Sequence, residues 1–140
     1  MDGGSSLAWP LPPIMARDAL LRRPRLRMIV YKIVATEEWA KAQAAGVFTG
    51  AAIDRADGFI HFSSAEQAPE TAAKWFAGRD DLTLAAIDAN ALGDDLRWEP
   101  SRGGALFPHL YGPLPMSAVV WSQPLPVGSD GAHIFGSLEP

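Results

Sequence analysis

Two short stretches gather the residue types that could do chemistry. The first, "GFIHFSS", places Phe59, His61 and Ser63 at alternate positions. In an extended chain alternate side chains share a face, so these three would stand together while Ile60 and Phe62 point the other way. An imidazole and a hydroxyl beside an aromatic ring suit the wall of a ligand cleft, where apolar lining is combined with a few placed polar groups. The structural alternative is a buried histidine bonded to a carbonyl, because buried polar groups are normally satisfied within the fold.

The second stretch, "SRGGALFPHLYGPLP", holds Arg102, Gly103, Gly104, Phe107, His109 and Tyr111. Phe107, His109 and Tyr111 fall on one side if the chain is extended. Paired glycines allow close backbone approach to a ligand, and Arg102 can grip a phosphate or carboxylate with paired donors. The same residues could equally brace an ordered loop. Glu99, next to Trp98, is the third element: a carboxylate beside a large apolar ring can have its ionisation shifted by desolvation, and carboxylates stabilise positive charge in glycosyl transfer. No Ser–His–Asp motif and no phosphate-binding glycine loop is present. Cysteine is absent, and His61, His109 and His133 lack the close spacing of neighbouring metal ligands, so no metal site is expected.

The elements that would position these residues can be read from patterning. "MIVYKIVA" predicts a buried strand over 28–35. Thr36 offers an N-cap oxygen and Gly46 a left-handed stop for a helix over 37–45. "VFTGAAIDRAD" reads as a loop with at most a short turn, leading into the strand "GFIHF". Ser64 and Gln67 match a capping box for a second helix, which starts at 65 or 69 and ends near Ala77, with Trp75 and Phe76 expected to anchor it. "LTLAAID" predicts a strand over 82–88, "DDLRWEP" a short strand ending at Pro100, "SRGG" a turn and "MSAVVWS" a strand over 116–122. Strands mixed with two helices predict an α+β domain with a largely antiparallel sheet.

The 140 residues, 48% hydrophobic and 20% charged, suit one globular domain over 28–140. Residues 1–27 are rich in Gly, Ser and Pro and carry five arginines against two aspartates, a net +3. They are read as a disordered extension, with a docking arm as the alternative. As the whole chain totals −4, residues 28–140 carry −7, which disfavours general nucleic-acid binding. No apolar run is long enough for a membrane span. With no cysteine and no secretory signal pattern, a cytoplasmic protein is expected.

The segments "IVYKI", "EEW", "DGFIHFSSAEQ", "KWFAG", "LTLAAID", "LRWE" and "FPHLYGPL" together resemble the bacterial family known as domain of unknown function 952, over about residues 28 to 125. That family resembles the ADP-ribosyltransferase fold, whose RNA 2′-phosphotransferase branch has a Tyr-His-Gly-Thr segment and a later His-x-His-x-Ser segment. The resemblance implies a curved, largely antiparallel split sheet with two main helices and NAD as the bound cofactor. Tyr31 and Lys32 would correspond to the first segment, with lysine replacing its histidine, and His61 and Ser63 to the second, with Phe59 replacing its first histidine. By the same likeness His61 and Ser63 would hold the ribose, Tyr31 or Phe59 would stack on the base, and Glu99 would be the catalytic acid. His109 or Arg102 would orient an acceptor or phosphate. Three functions follow as expectations: ADP-ribosyl or related glycosyl transfer, binding of a nucleotide-like or anionic small molecule without turnover, and a regulatory protein-interaction domain.

Overall fold

The run "IVYKIVA" forms strand β1 (Ile29–Ala35), which pairs antiparallel along its whole length with β4 (Leu82–Asp88). Strand β8 (Val119–Leu125) covers the other edge of β4, so β4 is the centre of a three-stranded sheet. Both faces of this sheet are covered, which explains why β1 and β4 are almost continuously apolar. This computed structural model describes residues 28–139; the expected N-terminal extension, 1–27, lies outside the described residues.

The two faces feed two cores. Val30, Val34, Ala85 and Ile87 pack against Trp39, Phe48, Ile60, Leu110 and Leu114. On the opposite face Ile29, Tyr31, Ile33, Leu84 and Ala86 pack against Ala68, Ala72 and Leu125, with Phe135 and Leu138 laid over them. Lys32 alternates onto the first face and is nonetheless buried, so a cation sits among apolar neighbours and must be paired there.

Helix α1 (Thr36–Ala45) begins one residue earlier than the sequence predicts. Its N-cap position is Ala35, and Thr36 is spent instead on a 2.8 Å hydroxyl–hydroxyl bond to Thr83. Gly46 ends it at φ 83° as expected, donating its N–H to the Ala42 carbonyl at 2.8 Å. The segment read as a loop is ordered. Val47–Phe48 (β2) pairs with Leu114–Pro115 (β7), and Ala52–Asp57 forms helix α2. Its start was concealed because no Ser, Thr, Asp or Asn occupies the N-cap. Asp54 serves from inside the helix, accepting the Ala51 N–H at 2.8 Å.

The strand in "GFIHF" is shorter than expected: only Ile60–His61 (β3) joins the ladder. Phe62 then donates to the Pro108 carbonyl, and Ser63 turns to exchange backbone bonds of 2.7 and 2.9 Å with Tyr31, which ties β3 to the first sheet. The Ser64–Gln67 box forms with both reciprocal bonds, 3.0 and 3.2 Å, just before helix α3 (Ala68–Trp75). Phe76 packs on the core as expected, but Trp75 is 64% exposed, although, seven residues from Ala68 and three from Ala72, it lies on their side of α3, as the last residue of the helix.

A 3-10 segment, Ala89–Asp95, leads to β5 (Leu96–Ser101), a turn at Arg102–Gly104 and β6 (Ala105–Leu110). The predicted strand over 116–122 starts later, after the 3-10 turn Met116–Ala118. Among the described residues three short antiparallel sheets, β1–β4–β8, β2–β7 and β3–β6–β5, make up an α+β architecture.

Candidate functional site

Sheet β3–β6–β5 carries a polar row. His109 of β6 stands directly opposite His61 of β3 on one side and Arg97 of β5 on the other. Directly opposed residues lie on the same face, so an imidazole, a second imidazole and a guanidinium cross the sheet together. The next row, Ile60, Leu110 and Leu96, faces the first core and fixes the register, since a one-residue slip would bury the polar row.

Aromatic rings close over that row. Phe59 stacks on His109 with centroids 4.1 Å apart and planes inclined 26°, and lies 4.7 Å from His61 and 5.3 Å from Tyr111. The Arg97 guanidinium sits over the Tyr111 ring at 4.7 Å. Glu99, two residues from Arg97 on the same face, accepts from His109 Nδ1 at 2.8 Å and from the Tyr111 hydroxyl at 2.7 Å, both on Oε1. The bond from His109, and then that from Tyr111, hold the Glu99 carboxyl below its usual range, so it is ionised at neutral pH. The same bond to Glu99 raises the Tyr111 phenol. The expected effect of Trp98 is absent for a simple reason: Trp98 alternates to the other face and is exposed.

Beneath His61 lies a buried carboxylate hub. Asp54 accepts from Lys32 Nζ at 3.0 and 3.1 Å, from His61 Nδ1 at 2.6 Å, and from the backbone N–H groups of His61 and Ala51 at 3.1 and 2.8 Å. Burial alone would push this carboxyl up. The His61 bond, the Lys32 charge and the two backbone donors outweigh it and hold Asp54 well below the carboxylate range. Burial lowers the Lys32 ammonium, opposed by Asp54. Lys32 also donates to the His61 carbonyl at 2.9 Å. The outer nitrogen of His61, Nε2, meets Asp57 at 2.9 Å.

The predicted site residues therefore divide. Phe59, His61, Glu99, His109 and Tyr111 are brought together, with Lys32 directly beneath. Phe107 is buried on the same strand, opposite Glu99. Tyr31 lies on the other face of β1, in the second core, donating its hydroxyl to the Glu139 carbonyl at 2.8 Å. Ser63 is buried and bonded to the Thr71 hydroxyl at 2.9 Å, on the α3 side. Arg102 opens the turn between β5 and β6, and its side chain lies outside the described residues.

Asp54, Asp57, Arg55 and Arg97 were not singled out by sequence reasoning. Arg97 was readable, since alternation in "LRWE" puts it on the Glu99 face. Asp54 and Asp57 required recognition of α2 between Gly50 and Gly58. A cavity of about 280 Å3 opens beside the hub; Asp54, Arg55 and Phe59 line it together with the core-facing Ile60 and Leu110, whereas His61, His109, Tyr111 and Glu99 do not. Arg55, which lines it, donates to the Gly50 carbonyl. Among the described residues no group of three or more His, Asp or Glu side chains is placed to share a metal ion, and no helix is long and apolar enough to cross a membrane.

An α+β protein built of short antiparallel sheets, with two carboxylate-bound histidines on one sheet face, is thus defined. The model of the family described as protein of unknown function (DUF952) matches residues 33–122, and the chain belongs to that family. It is similar to the crystal structure of protein CC0527 from Caulobacter crescentus, with 54% identity and a TM-score of 0.74, over 77% of this chain and 95% of that one. The solution structure of CC0527 matches at 55% identity and a TM-score of 0.68, over 74% and 90% of the two chains. No curated protein matches the chain significantly.

Proposed function

We propose that this protein binds a nucleotide-like small molecule in a cleft of the ADP-ribosyltransferase-like type, on the aromatic face of sheet β3–β6–β5. The observation that carries this reading is the convergence of Phe59, His61, His109 and Tyr111 on one face of β3 and β6, with two ionised carboxylates bonded to the histidines and Phe59 also lining a cavity. Flat rings suit a nucleobase or nicotinamide, and carboxylates and imidazoles suit ribose hydroxyls. The division of the antiparallel strands into separate short sheets is in keeping with a split-sheet architecture.

NAD fits this face in part. The cavity of about 280 Å3 lies just below the usual range of ligand-pocket sizes and shares Phe59 with the aromatic cluster, so most of a dinucleotide would lie over the open sheet face. Lys32, at the position expected to hold the ribose, has its ammonium engaged by Asp54 and the His61 carbonyl, so it supports the site from below. When bound, NAD would supply a ribosyl centre with a cationic leaving base. Both side-chain bonds to Glu99 fall on Oε1, so charge stabilisation by this carboxylate would use Oε2.

The test is thermal stabilisation of the full chain by NAD, by ADP-ribose and by an RNA 2′-phosphate mimic. A ligand of the native state at a hundred times its Kd stabilises by about 2.7 kcal/mol. The expected outcome is a shift with NAD or ADP-ribose that Phe59→Ala abolishes and Trp75→Ala preserves. A folded wild type that shifts with none of the three would overturn the reading. A shift without nicotinamide release would identify a binding module.

A further inference from the structure

Lys32 is paired with Asp54, Arg79 with Asp81, and the Arg97 guanidinium lies over the Tyr111 ring. Arg55, by contrast, forms no ion pair among the described residues. Its guanidinium donates to the Gly50 carbonyl, and the residue lines the cavity of about 280 Å3 beside the hub. The adjacent Asp54 carboxylate is committed elsewhere, taking its bonds from Lys32, His61 and the Ala51 N–H. A glycine lets the arginine sit there. At φ 109°, a Cβ on Gly50 would stand 3.0 Å from Asp54 Cβ and 3.6 Å from Arg55 Cγ, so a side chain would press on both residues. The other walls divide in two. Phe59, Ile60 and Leu110 are apolar, whereas Thr49 brings a hydroxyl without a partner among the described residues, and Gly58 and Gly112 bring bare backbone that a ligand can approach closely.

We infer that this cavity is a phosphate subsite with Arg55 as its recognition residue and the Thr49 hydroxyl as a second donor, holding the phosphate of a nucleoside monophosphate whose base lies on the aromatic face. The inference rests on the proposed nucleotide reading for the base and on the cavity's own residues for the phosphate. One terminal nitrogen of Arg55 is anchored on Gly50, and the rest of its planar fork matches two phosphate oxygens. The anchor fixes the guanidinium before any ligand arrives, which lowers the ordering cost of binding. Charge favours the same assignment. Residues 28–140 carry −7, so a phosphate is repelled from most of the surface and is held where a cation stands unpaired. Beside the cavity the Lys32 ammonium offsets the Asp54 carboxylate, leaving Arg55 as the uncompensated charge of the lining. Phe59 belongs both to this lining and to the aromatic cluster, and so joins the subsite to the face proposed for the base.

Two titrations of the full chain, followed by NMR at constant ionic strength, test this. The first uses inorganic phosphate and needs no nucleotide. The expected result is a saturable shift of the Arg55 Nε–H signal and of the Gly58 and Gly112 amides, which chloride does not reproduce and Arg55→Gln removes. No phosphate response at these groups, or one that chloride reproduces or that the Gly58 and Gly112 amides keep unchanged in Arg55→Gln, would overturn the inference whatever else the protein binds. The second compares AMP with adenosine. AMP should bind about tenfold more tightly or better, the worth of a charge-assisted hydrogen bond. Arg55→Gln should reduce AMP to the affinity of adenosine, Arg55→Lys should keep part of the difference because it retains the charge without the fork, and Lys41→Gln, on α1 and outside the cavity lining, should change neither ligand. Equal affinities of AMP and adenosine in the wild type would overturn the inference and leave the nucleotide reading intact. Binding of neither would overturn the nucleotide reading, and the phosphate titration would then decide the subsite by itself.

Discussion

His61 and His109 face one another across β3 and β6 with ring centroids 5.7 Å apart and planes inclined 74°, and each engages a different carboxylate through Nδ1. Through its backbone N–H, its carbonyl and Nδ1, His61 is tied to Asp54 and Lys32. The His109 ring meets Phe59 and His61, which stand between it and Asp54.

Asp54→Asn should be among the most damaging single changes in the chain. It removes the charge that pairs a buried ammonium, and breaking such a pair from one side costs about 3–5 kcal/mol. Lys32→Met should cost a comparable amount, while Lys32→Met with Asp54→Leu should cost less than the two single changes summed, since the stranded charge is gone. Urea unfolding of the three variants measures this, and strict additivity would show that the pair is not coupled.

Acid should unfold the protein in part through the same carboxyl. Asp54 lies well below its ordinary value of 3.8 in the folded state, so below that value the unfolded chain binds the extra proton. Stability from this group is then complete above about pH 5 and declines as pH falls through the window beneath 3.8. Melting temperatures between pH 7 and pH 2.5 should fall more steeply for the wild type than for Asp54→Asn. Asp81, which is exposed, and Glu99, which is partly so, are also lowered, and solvent screening keeps their contribution to this slope small.

Gly58 sets the angle at which α2 hands the chain to Phe59. Its φ is 87°, and an added Cβ would meet nothing within 4 Å, so Gly58→Ala tests backbone strain alone. The left-handed conformation should cost about 1–2 kcal/mol with alanine and less with asparagine. Equal loss in Gly58→Ala and Gly58→Asn, read from urea midpoints, would point to a packing role instead.

Ser64→Ala should destabilise by about 1 kcal/mol, the usual cost of losing a helix cap. The readout extends beyond α3, because Gln67 of the same box donates to the Leu106 carbonyl at 2.8 Å and so ties the helix to β6. Amide exchange should quicken in β6 as well as in α3 if that tie is structural, and in α3 alone if it is not.

Much of this was fixed by short-range pattern. The apolar runs of β1 and β4, the glycine stop of α1, the capping box at Ser64 and the alternation of Phe59 with His61 each depend on a few neighbouring residues whose preferences agree. What tertiary structure alone decided is which of those residues meet. Tyr31 and Ser63 were as plausible as Lys32 and His61 for one site. The pleat of β1 sends Tyr31 to the second core, and the exit of the chain after His61 takes Ser63 with it. Helix α2 carries no N-cap signal, so Asp54 became visible only when folding brought it to Lys32, 22 residues away, and to His61. Long-range pairing is set by strand register and by the need to satisfy a buried charge, and neither is written in any local window of the sequence.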